Sequence, residues 1–345
     1  MGDFGIDARK WVSNIRRMPR MNAILPALLA WSCCLQPLSS PGADSGVTVR
    51  DLGGRVRIEV NGALFTEYFY RDVPRPYCYP LIGPGSLAMT RKWPMESPPG
   101  EEHDHKHHRS FWFAHGSVNG QDLWSEEGKF GQTKHVSFIK LESGAKSGLI
   151  ESTNTWVGAD GTVLCSDVRK FTVFGTTPER VFDFEITIHA SHGDVTFGDT
   201  KEGSMSLRLA ESMRLTHKGN QPGQGHIVSS EGVLDGATWG KRADWVDYHG
   251  PVENQEVGAA IFDHPKNPRH PTWWHVRDYG LFAANPFGIH DFEKKPAHSG
   301  DFLIPAGKTA TFRYRFILHR GDEKSGRIAE QYQRFAADQG PFGAP

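Results

Sequence analysis

The sequence predicts an all-β protein, a large antiparallel β-sandwich closed by one C-terminal helix. Three observations carry that prediction. Apolar and polar residues alternate over long stretches, turn-forming residues are abundant (38 Gly and 22 Pro in 345 residues), and a single segment has helical spacing. Strict alternation marks a strand packed on one face and wet on the other. Frequent turn residues break such strands into an antiparallel series.

From Val47 onward the first candidate strands are 54–60 and 62–70. Arg109-Ser110-Phe111-Trp112-Phe113-Ala114-His115-Gly116 enters an aromatic strand pattern, followed by candidates at 135–143, 148–157 and 162–174. Between Val181 and Ala190, the residues Phe182, Phe184, Ile186, Ile188 and Ala190 form one face, while Asp183, Glu185 and Thr187 form the other. Further strands are expected at 204–210, 256–263 and 279–284. In Thr309 to His319, the residues Ala310, Phe312, Tyr314, Phe316 and Leu318 again share a face. The helix follows: Asp322 can cap a stretch in which Ile328, Tyr332 and Phe335 recur at i, i+4 and i+7, with Gly340 beyond its end.

Residues 1–44 read as a leader. Arg16-Arg17-Met18-Pro19-Arg20 is basic, Met21 to Cys34 is a short apolar core, and Pro41-Gly42-Ala43 offers a small-residue cleavage site. Met18 and Met21 are alternative starts, with the residues before them then an extension. Cys33 as a lipid-modified cysteine is disfavoured by the bulky Trp31 before it. The expectation is export to the periplasm or the extracellular space, leaving 45–345 as a single β-sandwich domain. No later stretch approaches the ~20 apolar residues of a membrane span.

Lys and Arg total 39 against 40 Asp and Glu, so no basic field exists to attract nucleic acid. Walker, dinucleotide-glycine, Gly-x-Ser-x-Gly and Cys-x-x-Cys patterns are absent, which removes nucleotide, serine-hydrolase and zinc-ribbon readings. Cys78 and Cys165 remain after the leader, as a disulfide or as two separate buried thiols.

The densest chemistry lies in Glu101-Glu102-His103-Asp104-His105-Lys106-His107-His108-Arg109. Read as extended chain, His103, His105 and His107 share a face and can serve one metal or one substrate. A second cluster runs from Asp263 to Tyr279 and includes His264, Arg269, Trp274, His275 and Arg277; its prolines stiffen the connection, and its tryptophans suit a sugar ring. A third is the turn Gly198-Asp199-Thr200-Lys201-Glu202-Gly203, where Glu202 is the best-placed carboxylate for base work. A plain hairpin tip is its bland alternative.

Several strings together resemble the bacterial family usually labelled methane oxygenase PmoA, or PmoA-like, a domain of unknown function. They are Pro80-Leu81-Ile82-Gly83-Pro84-Gly85 with Met89-Thr90-Arg91, the His103 to Ser110 run, Gly198 to Gly203, Trp239-Gly240-Lys241-Arg242-Ala243-Asp244-Trp245, Phe262 to Pro271, and His275 to Gly280 followed by Ala284-Asn285-Pro286-Phe287-Gly288. The methane monooxygenase subunit of that name is a multi-span membrane protein, and this chain has no span to match it. The strand-rich body also resembles the supersandwich of galactose mutarotase and its relatives. That resemblance implies sugar binding on a sheet face, with His and Glu as acid and base and no metal required.

The expected function is acid–base chemistry on a sugar or oxidised sugar: epimerisation, elimination or hydrolysis. His105, His107, Glu202 and His264 are the expected catalytic groups. His103, Arg109, His115, Arg269, Trp274, His275 and Arg277 are the expected substrate contacts. A divalent metal would sit among His103, His105, His107 and His108, although none is favoured as cofactor. A noncatalytic glycan-binding protein is the alternative, and a metal-dependent oxygenase a more distant one. The expected partner is a carbohydrate small molecule, with no nucleic acid and no membrane; the oligomeric state is left open.

Overall fold

In a computed structural model, the described residues are 45–341 and Gly2. The leader expected at 1–44 lies outside them. Gly42–Pro345 forms one compact unit.

The chain first lays down β1 (Val47–Asp51), β2 (Arg55–Val60), β3 (Ala63–Phe69), β4 (Tyr77–Tyr79) and β5 (Phe111–His115). It then builds four long strands, β6 (Gln132–Glu142), β7 (Ser147–Val157), β8 (Val163–Phe174) and β9 (Arg180–His189). Next come β10 (Val195–Phe197), β11 (Gly203–Arg208), β12 (Thr216–His217), β13 (Gln221–Pro222), β14 (His226–Ser229), β15 (Trp245–Val252) and β16 (Gln255–Asp263). The chain closes through β17 (Trp273–Val276), β18 (Leu281–Asn285), the one-turn α1 (Ile289–Glu293), β19 (Phe302–Ile304), β20 (Thr309–Arg320) and α2 (Ile328–Ala336).

Two eight-stranded sheets result. The first runs β1-β2-β3-β4-β5-β11-β18-β17 and the second β14-β15-β16-β20-β9-β8-β7-β6, with two small strand pairs beside them. Their facing sides bury one continuous core, to which Phe111, Phe113, Met205, Leu207 and Phe282 come from the first sheet and Phe182, Phe184, Ile186, Tyr314 and Phe316 from the second. The face predicted for Val181 to Ala190 is the one buried there. Residues of β9 and β20 on the opposite side pair as ions, Arg315 with Asp183 at 2.7 Å and Arg313 with Glu185 at 2.6 Å.

Three details differ from the sequence reading. The helix is joined by α1, a turn too short to show a helical period. It also starts later than a cap at Asp322 would allow, because Asp322 accepts from the Ser325 backbone and closes a turn of its own. Trp245–Val252 forms a central strand of the second sheet. Cys78 and Cys165 are separate, buried thiols. Among the described residues no helix is long and apolar enough to cross a membrane.

Candidate functional site

The first sheet turns its other side away from the core, and there the alternation places chemistry. One register row crosses four strands, Trp112 of β5, Ser206 of β11, Ala283 of β18 and His275 of β17. Of this row His275 reaches the cavity, while Trp112 packs on His108 and Trp124. A cavity of about 660 Å³ opens over this face, lined by His105, His107, His108, Asp122, Trp124, Lys201, Glu202, His275, Arg277 and Tyr279, with Gly116, Ser125 and Glu127 at its margins. Its size falls in the ordinary range for small-molecule sites.

The histidine run is a turn, not a strand. The His108 amide donates to the His105 carbonyl at 3.0 Å, and His105 takes a positive φ of 38°. Arg91, fully buried, holds the turn by donating to the Asp104 carboxylate and to the carbonyls of Asp104 (3.1 Å) and His105 (3.0 Å). The turn stacks His105 on His108 at 4.7 Å between ring centres, and His105 on Tyr279 at 5.1 Å, both nearly parallel. His107 stands edge-on to His108 at 4.4 Å.

Hydrogen-bond partners place the proton in three of the four cavity imidazoles. His105 Nδ1 lies 3.0 Å from Asp104 Oδ2, so Nδ1–H donates to the carboxylate, the tautomer in which Nε2 is the basic nitrogen. Burial alone would raise the Asp104 pKa, but the hydrogen bond from His105 and the Arg208 and Arg91 guanidiniums hold it well below the usual carboxylate range. His108 Nδ1 lies 3.0 Å from the Arg208 guanidinium, which can only donate, so the His108 proton sits on Nε2. His275 Nδ1 likewise accepts from Trp239 Nε1 at 3.0 Å, leaving Nε2–H. Burial keeps all three remaining rings neutral: His107 and His275 are each pushed down to about 3, and His108 well below its ordinary value. The Arg75, Arg208 and Arg277 charges nearby act in the same direction.

The cavity therefore offers one imidazole base backed by a carboxylate, two imidazole N–H donors, a carboxylate in Glu202 paired with Lys201 at 3.3 Å, and a guanidinium in Arg277. Two further groups at its wall are unsatisfied: His107 Nδ1 and Trp124 Nε1 are buried without a hydrogen-bond partner. Buried polar groups are rarely left so, and those that are need an explanation.

Of the residues expected to act together, the structure gathers His105, His107, His108, Glu202, His275 and Arg277. It places the others elsewhere. His103 is exposed and stacks on Trp93 at 4.0 Å. Arg109 is taken up by a two-pronged pair with Glu126. His115 is fully buried, and its Nε2 donates to the Gly198 carbonyl at 2.7 Å, tying β5 to the turn before β11. Arg269 donates to the carbonyls of Pro286, Gly300 and Asp301. Trp274 is a core residue whose Nε1 bonds the Ala243 carbonyl. His264 lies apart, bonded to Asp338 at 3.0 Å and lining a different depression, on the outer side of the second sheet. Sequence reasoning missed the supporting groups Arg91, Arg208 and Trp124, which come from segments without clustered chemistry, and Tyr279, which closes the second cluster, was not singled out from it. Asp104 stood within the run, and its place beside His105 was the available signal.

The chain belongs to the family of unknown function DUF6807, whose model matches residues 55–333. No curated protein sequence matches it. Among solved structures it is similar to the galactosidase domain of an alpha-galactosidase–sucrose kinase, AgaSK, at 8% identity and a TM-score of 0.35, over 80% of this chain and 40% of that one. It is also similar to a galactose mutarotase-related enzyme from Lactobacillus acidophilus, at 8% identity and a TM-score of 0.28, over 80% and 98% of the two chains. Both likenesses are distant, and neither assigns a reaction to this cavity.

Proposed function

We propose that the cavity carries out acid–base chemistry on a sugar or oxidised sugar. The observation that carries this reading is the Asp104–His105 pair, whose free Nε2 shares the cavity with Glu202 and with imidazole N–H donors locked by Arg208 and Trp239. A carboxylate that accepts from Nδ1–H fixes the tautomer in which Nε2 is the base. Fixed N–H groups and Arg277 can stabilise the oxyanion that grows when a proton leaves a carbon next to a carbonyl. The polar wall of Lys201, Glu202 and Arg277 suits the hydroxyls of a sugar.

The PmoA label that the motifs bring is taken here as naming the family and not an oxygenase reaction. The histidine run stacks its rings instead of aiming three nitrogens at one point. In the same reading the protein acts after export, on the strength of its basic-then-apolar N-terminus.

The test is a panel of free sugars, uronic acids and oligosaccharides, followed by NMR for anomer exchange, epimerisation and unsaturated products. His105→Ala is expected to slow turnover by roughly 10²- to 10⁴-fold, the range for loss of a general base, with substrate binding largely kept. Glu202→Gln should alter the pH profile. Saturable sugar binding with no turnover on any of the panel, and no effect of His105→Ala, would replace catalysis by glycan binding.

A further inference from the structure

A second set of titratable groups lies on the outer side of the second sheet, away from the cavity. His226, His249, Gly258 and His319 occupy one register row across β14, β15, β16 and β20. Asp247, two residues before His249, points to the same side. It is fully buried, and its two oxygens bond His249 Nδ1 at 2.8 Å and His319 Nε2 at 2.6 Å. Gly258 makes this possible, since a Cβ there would collide with the His319 ring. Glu323, from the turn before α2, reaches the same place. Among the described residues, Asp247, His249 and Glu323 are the one group of three such side chains whose donor atoms all lie within 4.8 Å of one another.

The convergence of these donors, two from β15 and one from the turn before α2, carries the reading. Two carboxylates, one wholly buried and one 17% exposed, sit together; the lysine nearest Glu323 is Lys324 at 3.9 Å, and it is 85% exposed. Carboxylates this close repel, and a cation held between them would offset that repulsion. We propose that Asp247, His249 and Glu323 bind a divalent transition ion, zinc by preference. One imidazole and two carboxylates are a ligand set zinc accepts, with a water in the open position. An ion ~2.0–2.2 Å from each donor needs only small side-chain shifts to gather atoms this close. His319 would act behind the ligands, its Nε2–H orienting Asp247 through the second oxygen. His226, with its ring 5.6 Å from that of His249, stands at the rim as a further donor. Such an ion would fasten the turn that leads into α2 onto β15.

The full chain, purified without a histidine tag and stripped with chelator, is titrated with zinc and with cobalt(II). One equivalent should bind, raise the thermal midpoint, and give cobalt a visible spectrum of nitrogen and oxygen ligation. Glu323→Gln and Glu323→Ala, both in a turn and checked for native circular dichroism, should each weaken binding at least tenfold and abolish the thermal shift. His105→Ala should leave both intact. Absence of saturable binding, or binding lost with His105→Ala and kept in both Glu323 variants, overturns the site.

Discussion

At the scale of the residue, the cavity histidines are distinguished by what their second nitrogen touches. His105 faces a carboxylate and is left a base, whereas His108 and His275 face obligate donors and are left as N–H groups. The neutral state of His275 has a thermodynamic consequence. Its folded pKa, about 3, lies below the ordinary 6.5 because burial disfavours the cation, with Arg277 and Lys201 adding to the effect. The unfolded chain then binds the proton more readily, so this group's contribution to stability is full above about pH 6.5 and is lost as the pH falls toward 3. His275→Asn offers Trp239 an oxygen near the place of Nδ1 and cannot titrate. Relative to that variant, the wild type should lose up to about 1.4 kcal/mol per pH unit below 6.5. Urea unfolding of both proteins at pH 7.5 and 4.5 checks this, and a stability difference that stays constant between the two would refute it.

At the scale of the element, the decisive piece is the turn from His103 to Arg109. Period-two reading of that run put His103, His105 and His107 on one face. The chain turns instead, because Arg91 and Arg208 converge on Asp104 and Arg91 also takes up two carbonyls. The chemistry was legible in the run, but its geometry was set by arginines at distant positions that no local pattern reveals. Arg91 is fully buried, and without it Asp104 keeps only Arg208 and His105 while the Asp104 and His105 carbonyls lose their donor. Arg91→Leu should cost about 1–3 kcal/mol and free the turn, so that His105 loses its place on Tyr279. Denaturant unfolding gives the first quantity. Faster proteolysis between Glu101 and Arg109 reports the second; an unchanged midpoint with a protected turn would mean that Arg91 does not hold it.

At the scale of the whole molecule, the sandwich separates its tasks by face. Alternation exposed the long strands to sequence reading, since each must present one apolar side to the shared core, as β9 and β20 do. Short strands such as β4 and β17 are buried throughout and carry no period, and the pairing of distant strands is not written in any one of them. That is why the cluster from Asp263 to Tyr279 read as one site but is divided in space. His275 and Arg277 emerge at the cavity beside the first sheet, whereas His264 leaves the end of β16 toward α2. There its ring packs on Phe335 at 4.9 Å and bonds Asp338, so it fastens the C-terminal helix. His264→Ala should therefore lower stability by about 1–3 kcal/mol, the cost of a lost buried contact and hydrogen bond. The ligand binding and turnover proposed for the cavity should stay unchanged. Calorimetry of unfolding and of ligand binding on the same sample separates the two effects, and a variant that keeps its stability but loses ligand would return His264 to the site.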